Sequence, residues 1–238
     1  MDITLIVLIM LGVIIIYFAT TFIGKALGIL VKCTLLLIVL LAILIVLAKK
    51  DLDGLSTGLV ESNNTFFLYE GSRLHTAITL KPAVNRTFTL ESFGYFTKGE
   101  LKAMEQSLNS KDYAPLLGSN YKLFILTPAA INRPFKINLG VDLNENDTLQ
   151  MLRGDRPYLV VAAKLKGEYN GSSAEKIEAA LRDAYGDDEK IKGYLFAAML
   201  INYLQLKDIS LIKSVKDKEL VIYPESLSFK MAKYLPII

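Results

Sequence analysis

Few side chains in this sequence are of the types that carry out chemistry, and they do not cluster. His75 is the only histidine in 238 residues. It could act as a general base near neutral pH, but a lone histidine on a strand is usually solvated or hydrogen-bonded. Zinc sites built from paired histidines or clustered cysteines are excluded, because the chain has one histidine and one cysteine, Cys33. The sequence predicts no catalytic residue, no metal and no cofactor.

Oxygen ligands occur together in one stretch, "DLNEND", from Asp142 to Asp147. Carboxylates and amides suit calcium, yet this stretch lacks the glycine and the distant glutamate of a calcium loop. A solvated turn that leads into a helix cap explains it better. A nucleophile elbow, a phosphate-binding lysine loop and a dinucleotide fingerprint are all missing from the sequence.

Asn202 and Tyr203 lie in an apolar segment that we expect to form a buried helix. A buried amide needs hydrogen-bond partners, so these two residues could line an internal polar pocket. A structural asparagine with all its hydrogen bonds made is the alternative.

The strongest pattern in the chain is the apolar N-terminus. From Ile3 to Ala48 the only charged side chains are Lys25 and Lys32. One unbroken helix over that length would be more than twice as long as the roughly 30 Å hydrocarbon core of a membrane. We therefore predict a helical hairpin with transmembrane spans at about 3–23 and 30–48.

The turn of this hairpin is predicted at Gly24, Lys25 and Gly28, with Lys32 at the same membrane interface. Both ends of the hairpin then lie on one side of the bilayer. The two glycines also have the spacing of a helix-dimer contact, and either lysine could line a pore, although neither has an acidic partner in the spans. Cys33 is most simply a small apolar residue, with lipid attachment as the alternative.

The net charge of +3 belongs to this N-terminal part, because the rest of the chain has 23 basic and 23 acidic residues. Nucleic acid is therefore not an expected partner. Four Asn-x-Ser/Thr sequons are present, where chance predicts about one. They lie at Asn63, Asn85, Asn146 and Asn170. Since such sites are modified outside the cytoplasm, we expect the domain that follows the hairpin to be extracytoplasmic.

That domain is predicted as one α+β unit, residues 63–238, after a short linker at 51–62. Alternating apolar residues predict two strands joined at Glu70-Gly71, with Leu74, Thr76, Ile78 and Leu80 on one face. Further strands are expected at "RTFTLE", "YKLFILT", "FKINLGVDL" and in a hairpin "ISLIKSVKDKELVIYPE". The short connections between these elements favour a mainly antiparallel sheet.

Helices are predicted from their caps and apolar stripes. Thr97 with Glu100 forms a capping box, Asp147 caps a short helix, and Ser173 begins a helix that Gly186 ends. The segment "PYLVVAAKLKG" fits a strand or a helix. At the C-terminus, Lys230 and Lys233 stand among apolar residues, so a last amphipathic helix could lie on the membrane or pack on its own domain.

Two segments, "GSNYKLFIL" at 118–126 and "VIYPESLSFKMAKYLP" at 221–236, together with the N-terminal hairpin, resemble small two-span membrane proteins of archaeal genomes. That group has no assigned activity. The resemblance implies an archaeal membrane origin and transfers no catalytic chemistry.

Three functions are compatible with these features. The first is a non-catalytic membrane anchor whose domain binds another membrane or envelope protein, or a second copy of the chain. The second is a small-ligand sensor or transporter accessory subunit with a pocket near Asn202. The third is a membrane-tethered enzyme that uses scattered carboxylates. A deep polar pocket would favour the second or third, and an exposed apolar patch would favour the first.

Overall fold

The computed structural model describes residues 3–22, 25–82, 88–168, 173–205, 211–226 and 229–230. The chain divides into two compact units, Met1–Gly54 and Leu55–Ile238. It begins with two helices, α1 (Ile3–Phe22) and α2 (Lys25–Glu61), and α2 continues from the first unit into the second. The segment predicted as a linker is therefore helical as far as Glu61.

In the first unit, the described side chains of α1 and α2 expose a large apolar surface. Tyr17 is 71% exposed and Leu37 is 63% exposed. Transfer of apolar surface out of water is favourable by about 25 cal/mol per Å². Such a surface is therefore suited to contact with lipid. In the described part of the chain, one helix, Val31–Glu61, is long and apolar enough to span a membrane.

The predicted membrane turn lies only partly within the described residues. Gly24 lies outside the described residues, whereas Lys25, Gly28 and Lys32 all lie in α2. The second apolar helix thus begins earlier than residue 30, and Gly28 is a helix residue. The hairpin of two spans is taken up below as a proposal.

The second unit contains a mixed five-stranded sheet, and the mainly antiparallel sheet predicted above is corrected to this. The strand order is β3-β2-β1-β4-β7, and a separate pair is formed by β5 and β6. β1 and β4 are parallel, while the other three neighbouring pairs are antiparallel. The parallel pair arises because the segment between β3 and β4 returns the chain to the end at which β1 begins. The strands are β1 (Asn64–Glu70), β2 (Arg73–Leu80), β3 (Phe93–Tyr95), β4 (Lys122–Leu126), β5 (Lys136–Asn138), β6 (Asp142–Asn144) and β7 (Leu220–Tyr223).

Helices cover both faces of this sheet. On one face Leu101 and Leu108 of α3 pack against Phe67. On the other face, Phe66 stacks on Phe124 with ring centroids 4.7 Å apart, close to Leu200 of α9. The helices of this unit are α3 (Lys98–Asn109), α4 (Ala114–Leu117), α5 (Pro128–Ile131), α6 (Glu145–Arg153), α7 (Tyr158–Glu168), α8 (Ala174–Tyr185), α9 (Asp188–Gln205) and α10 (Leu211–Lys216).

Several local predictions are confirmed. The Thr97 backbone N–H donates to Glu100 Oε2 at 2.7 Å, and the Glu100 N–H donates back to Thr97 Oγ1 at 3.4 Å. Ser173 caps α8, and Gly186 follows its last residue with a φ of +94°. Helix α9 is the expected central buried helix, since Leu195, Phe196 and others on it have no exposed surface.

Other local predictions are wrong. The stretch "FKINLGVDL" forms two short strands, because Gly140 reverses the chain with a φ of +83°. The first half of the predicted C-terminal hairpin is α10, and in "RTFTLE" residues 88–89 are irregular and Leu90 begins a 3-10 turn. The cap of α6 is Asn144, with Asp147 as its capping-box partner. The ambiguous "PYLVVAAKLKG" is helical, while most of the C-terminal segment, including Lys233, lies outside the described residues.

Candidate functional site

The site begins with an irregularity in β2. Leu68 pairs with Thr76, but the next residue, Tyr69, pairs with Leu74. His75 is therefore an extra residue without an opposite partner, which is a β-bulge. The bulge moves Leu74 to the α3 face of the sheet, so the prediction that Leu74 shares a face with Thr76 is wrong.

The bulge places His75 in a buried, charged environment. Its side chain is 7% exposed, and Nε2 lies 3.5 Å from Glu70 Oε2. Within the part of the chain that the structure describes, neither ring nitrogen makes a hydrogen bond. Burial lowers the pKa of His75, and the positive charge of Arg73 lowers it further, against an opposing effect of Glu70. The lowered pKa favours the neutral form of His75.

Charged side chains from β1, β2, α6, the segment after α6, and α9 surround this histidine. We call Glu70, Arg73, His75, Arg153, Asp155 and Lys192 the hairpin cluster. Glu70 accepts two hydrogen bonds from Arg153, from Nε at 3.0 Å and from Nη2 at 2.8 Å. Arg73 pairs with Asp155. Lys192 of α9 is 6% exposed, and burial lowers its pKa.

A cleft of about 660 Å³ opens beside this cluster. It lies where β1 and β4 end, because both strands point their carboxyl ends to the same edge of the sheet. The chain leaves β1 through the turn to β2, but it leaves β4 into α5. This divergence of the backbone leaves a crevice, which is where ligands bind in sheets with parallel strands. We call it the strand-end cleft.

Three segments line the strand-end cleft. The end of β1 and the turn after it contribute two residues, Thr127 with the start of α5 and the loop behind it contribute four, and α6 with the residue after it contributes five. They are Glu70, Gly71, Thr127, Pro128, Ala129, Asn132, Asn146, Leu149, Gln150, Arg153 and Gly154.

The position of α6 is fixed on both of its sides. Its capping box joins Asn144 and Asp147 through two hydrogen bonds of 3.0 Å, and Lys164 of α7 donates to Asp147 at 2.5 Å. Helical spacing places Asn146, Gln150 and Arg153 on one face, since they are four and three residues apart. That face lines the cleft.

Most polar groups along the cleft make no hydrogen bond within the described protein. Thr127 Oγ1 is buried and has no partner there. The side-chain amides of Asn132, Asn146 and Gln150 are exposed and likewise have none among the described residues. Of the described lining residues only Glu70 and Arg153 are charged, so this lining is electrically balanced. Such a wall can supply donors and acceptors to a bound polar molecule.

The pocket predicted near Asn202 is not where the cleft lies. Asn202 is partly buried and donates to the Pro134 carbonyl at 3.3 Å. The Tyr203 hydroxyl lies 3.4 Å from Ser214 Oγ.

In the "DLNEND" stretch, Asp142 accepts a hydrogen bond from Asn138 Nδ2 at 2.7 Å. Among the described residues, no group of three or more His, Cys, Asp or Glu side chains could hold a metal ion.

Two of the four predicted glycosylation sites are described. Asn63 is exposed immediately before β1, and Asn146 is exposed on α6 at the cleft. Thr148, the third residue of the Asn146 sequon, is fully buried and donates to the Asn144 carbonyl at 2.8 Å. Asn85 and Asn170 lie outside the described residues.

Sequence reasoning considered His75 as a possible base and Asn146 as a glycosylation acceptor, but it did not place Glu70, Arg153 and Gln150 together in one site. Glu70 is the last residue of β1 and Thr127 follows the last residue of β4. These positions indicate a shared site only when the two strands are known to be parallel neighbours. The alternation of apolar residues does not reveal that pairing.

Comparisons with known proteins leave the geometry as the basis for a functional assignment. No family model, no curated protein and no solved structure matches the chain.

Proposed function

We propose that this chain is a membrane-anchored ligand-binding protein, whose α+β domain holds a small polar molecule in the strand-end cleft. The observation that carries the proposal is the set of uncommitted polar groups in the cleft wall. The side-chain amides of Asn132, Asn146 and Gln150 are exposed and have no hydrogen-bond partner in the described structure. A polar molecule bound in the cleft would pair with them.

The surface of the domain favours this function over the protein scaffold that the sequence also predicted. Among its described residues, the only large hydrophobic side chains classed as exposed are Tyr121 at 37% and Val221 at 42%. Stable partner surfaces contain a contiguous apolar core. A sensor or transporter accessory role therefore explains the domain better.

The anchor in this proposal is a hairpin of two membrane spans, α1 and α2. Gly12 of α1 supports it, because a Cβ at that position would lie only 2.9 Å from Val39 Cγ2 of α2. Glycine at such a contact lets membrane helices approach closely. In the same proposal the domain is outside the cytoplasm, as the sequons at Asn63, Asn85 and Asn170 suggest. Asn146 belongs to the cleft.

The test uses the full chain in lipid nanodiscs and a library of amino acids, sugars, nucleosides and inorganic anions. We expect at least one compound to raise the melting temperature of the domain, since binding to the folded state stabilises it. The substitution Gln150→Trp would fill the cleft and abolish this shift.

Gln106→Trp is the matched control, because Gln106 is exposed on α3, which covers the other face of the sheet. It should leave the shift unchanged. The cleft is not the binding site if both tryptophan variants keep the shift or both lose it. The proposal as a whole fails if no compound stabilises the wild type.

A further inference from the structure

The charges of the cleft restrict the kind of molecule it would bind. Glu70 and Arg153 are the only ionisable residues among the described residues that line it, and they neutralise each other. A ligand with a net negative charge would bring a like charge close to Glu70, and a ligand with a net positive charge would do the same at Arg153. A neutral ligand with one positive and one negative group matches both.

Resting on the proposed ligand-binding function, we infer that the strand-end cleft binds a free α-amino acid in its zwitterionic form, with the carboxylate on Arg153 and the ammonium on Glu70. Glu70 and Arg153 are in direct contact, so the two charges of the ligand must also be close together. In an α-amino acid they are separated by one carbon atom.

Arg153 has donors left for this role. A guanidinium has five N–H groups, and the Glu70 carboxylate uses one on Nε and one on Nη2. Arg153 has no other partner among the described residues. Its remaining N–H groups, on Nη1 and Nη2, form the second fork of the guanidinium, which fits a carboxylate in a bidentate arrangement.

Glu70 is able to accept an ammonium at the same time. Its side chain is 45% exposed, and each carboxylate oxygen keeps a lone pair after bonding to Arg153. His75, 3.5 Å away on Nε2, has a lowered pKa that favours its neutral form, which does not compete as a cation. Glu70 is therefore the one negative group that the described lining of the cleft presents to the ligand.

The rest of the wall indicates the side chain of the amino acid. Asn132, Asn146 and Gln150 offer amide donors and acceptors without partners in the described structure. An uncharged polar side chain, such as that of glutamine, would use them. No aromatic ring or further charge lines the cleft among the described residues.

Isothermal titration of the full chain in nanodiscs tests the inference with L-glutamine as the first of the twenty amino acids. Two analogues remove one charge each: glutaramate lacks the ammonium, and L-glutamine amide lacks the carboxylate. Each should bind about 10- to 100-fold more weakly, because a hydrogen bond to a charged group contributes roughly 1.5–3 kcal/mol. The variants Glu70→Gln and Arg153→Gln should weaken L-glutamine binding to a similar extent.

Arg73→Gln is the matched control, since Arg73 belongs to the hairpin cluster but does not line the cleft. It should bind L-glutamine as the wild type does. The ring resonances of His75 give a second readout, because they come from the only histidine and should shift when the ligand reaches Glu70. Circular dichroism of the unliganded variants checks that each one is folded.

The outcomes separate this inference from the proposed function. If a singly charged analogue binds as tightly as L-glutamine, the zwitterion inference is overturned. It is also overturned if no amino acid binds while a sugar, nucleoside or anion stabilises the domain through the cleft, and in that case the proposed function stands. Absence of binding by every compound overturns both.

Discussion

At the scale of single residues, the β-bulge at His75 decides the character of the site. An extra residue in β2 turns a histidine toward charged groups from four elements. They are Glu70 of β1, Arg73 of β2, Arg153 at the end of α6 and Lys192 on α9. Alternation of apolar residues predicts the two strands around Glu70-Gly71 correctly. The same alternation cannot reveal the bulge, because one inserted residue does not change the types of the residues that precede and follow it in the sequence.

The buried histidine predicts a pH dependence of stability. In the folded state the pKa of His75 is lowered, chiefly by burial, whereas in the unfolded chain it is about 6.5. As the pH falls below about 6.5, the unfolded chain takes up the proton first, so the free energy of unfolding decreases. Thermal unfolding between about pH 7.5 and pH 5.5 should show this loss, and His75→Gln should reduce it.

NMR titration of the histidine ring gives the direct measurement. A midpoint below that of an unstructured histidine peptide agrees with the structure. A midpoint above it, or an equal loss of stability in wild type and His75→Gln, would contradict the buried neutral state.

At the scale of elements, local signals predicted what local physics determines. The caps at Thr97 and Ser173 and the stop at Gly186 depend on residues within one turn, and all three are found. The parallel pairing of β1 with β4 joins Asn64 to Lys122, and the intervening residues contain no pattern that specifies its direction. The cleft depends on this pairing, so its location could not be predicted.

Helix α2 provides a prediction at this scale. A Cβ on Gly58 would lie 2.1 Å from Tyr121 Cε1, whereas one on Gly54 would meet nothing within 4 Å. Gly58→Ala should therefore destabilise the protein by about 1–3 kcal/mol through overpacking. Gly54→Ala, in the same helix, should be neutral or stabilising by up to about 1 kcal/mol, because alanine favours helix formation over glycine.

Chemical denaturation of the two variants beside the wild type measures both effects. Adding Tyr121→Ala to Gly58→Ala should recover part of the loss, since it removes the atoms that the new methyl group meets. Equal effects of the two glycine substitutions would show that the contact with Tyr121 is not what requires glycine.

At the scale of the whole molecule, amino-acid composition alone separates the two units. The apolar residues before Ala48 and the balanced charges after Lys50 predict a boundary near that found at Gly54. Composition does not, however, show on which side of the membrane the domain lies. Lys25 and Lys32 near the start of the apolar part of α2, and Lys49 and Lys50 at its end, leave the positive-inside rule nearly balanced. The orientation must be measured.

The proposed hairpin makes a definite prediction about orientation. Replacing Cys33, the only cysteine, with serine allows single cysteines to be placed at will. Lys102→Cys reports on the domain, because Lys102 is exposed on α3. We expect a membrane-impermeant maleimide to label this variant in intact cells.

Lys25→Cys is the partner variant, since two spans with an external domain leave the bend between them in the cytoplasm. It should be labelled only after the membrane is disrupted. Labelling of both positions in intact cells would leave no cytoplasmic bend and rule out two spans. Labelling of Lys102→Cys only after disruption would place the domain, and with it the strand-end cleft, in the cytoplasm, where the ligand would be an intracellular molecule.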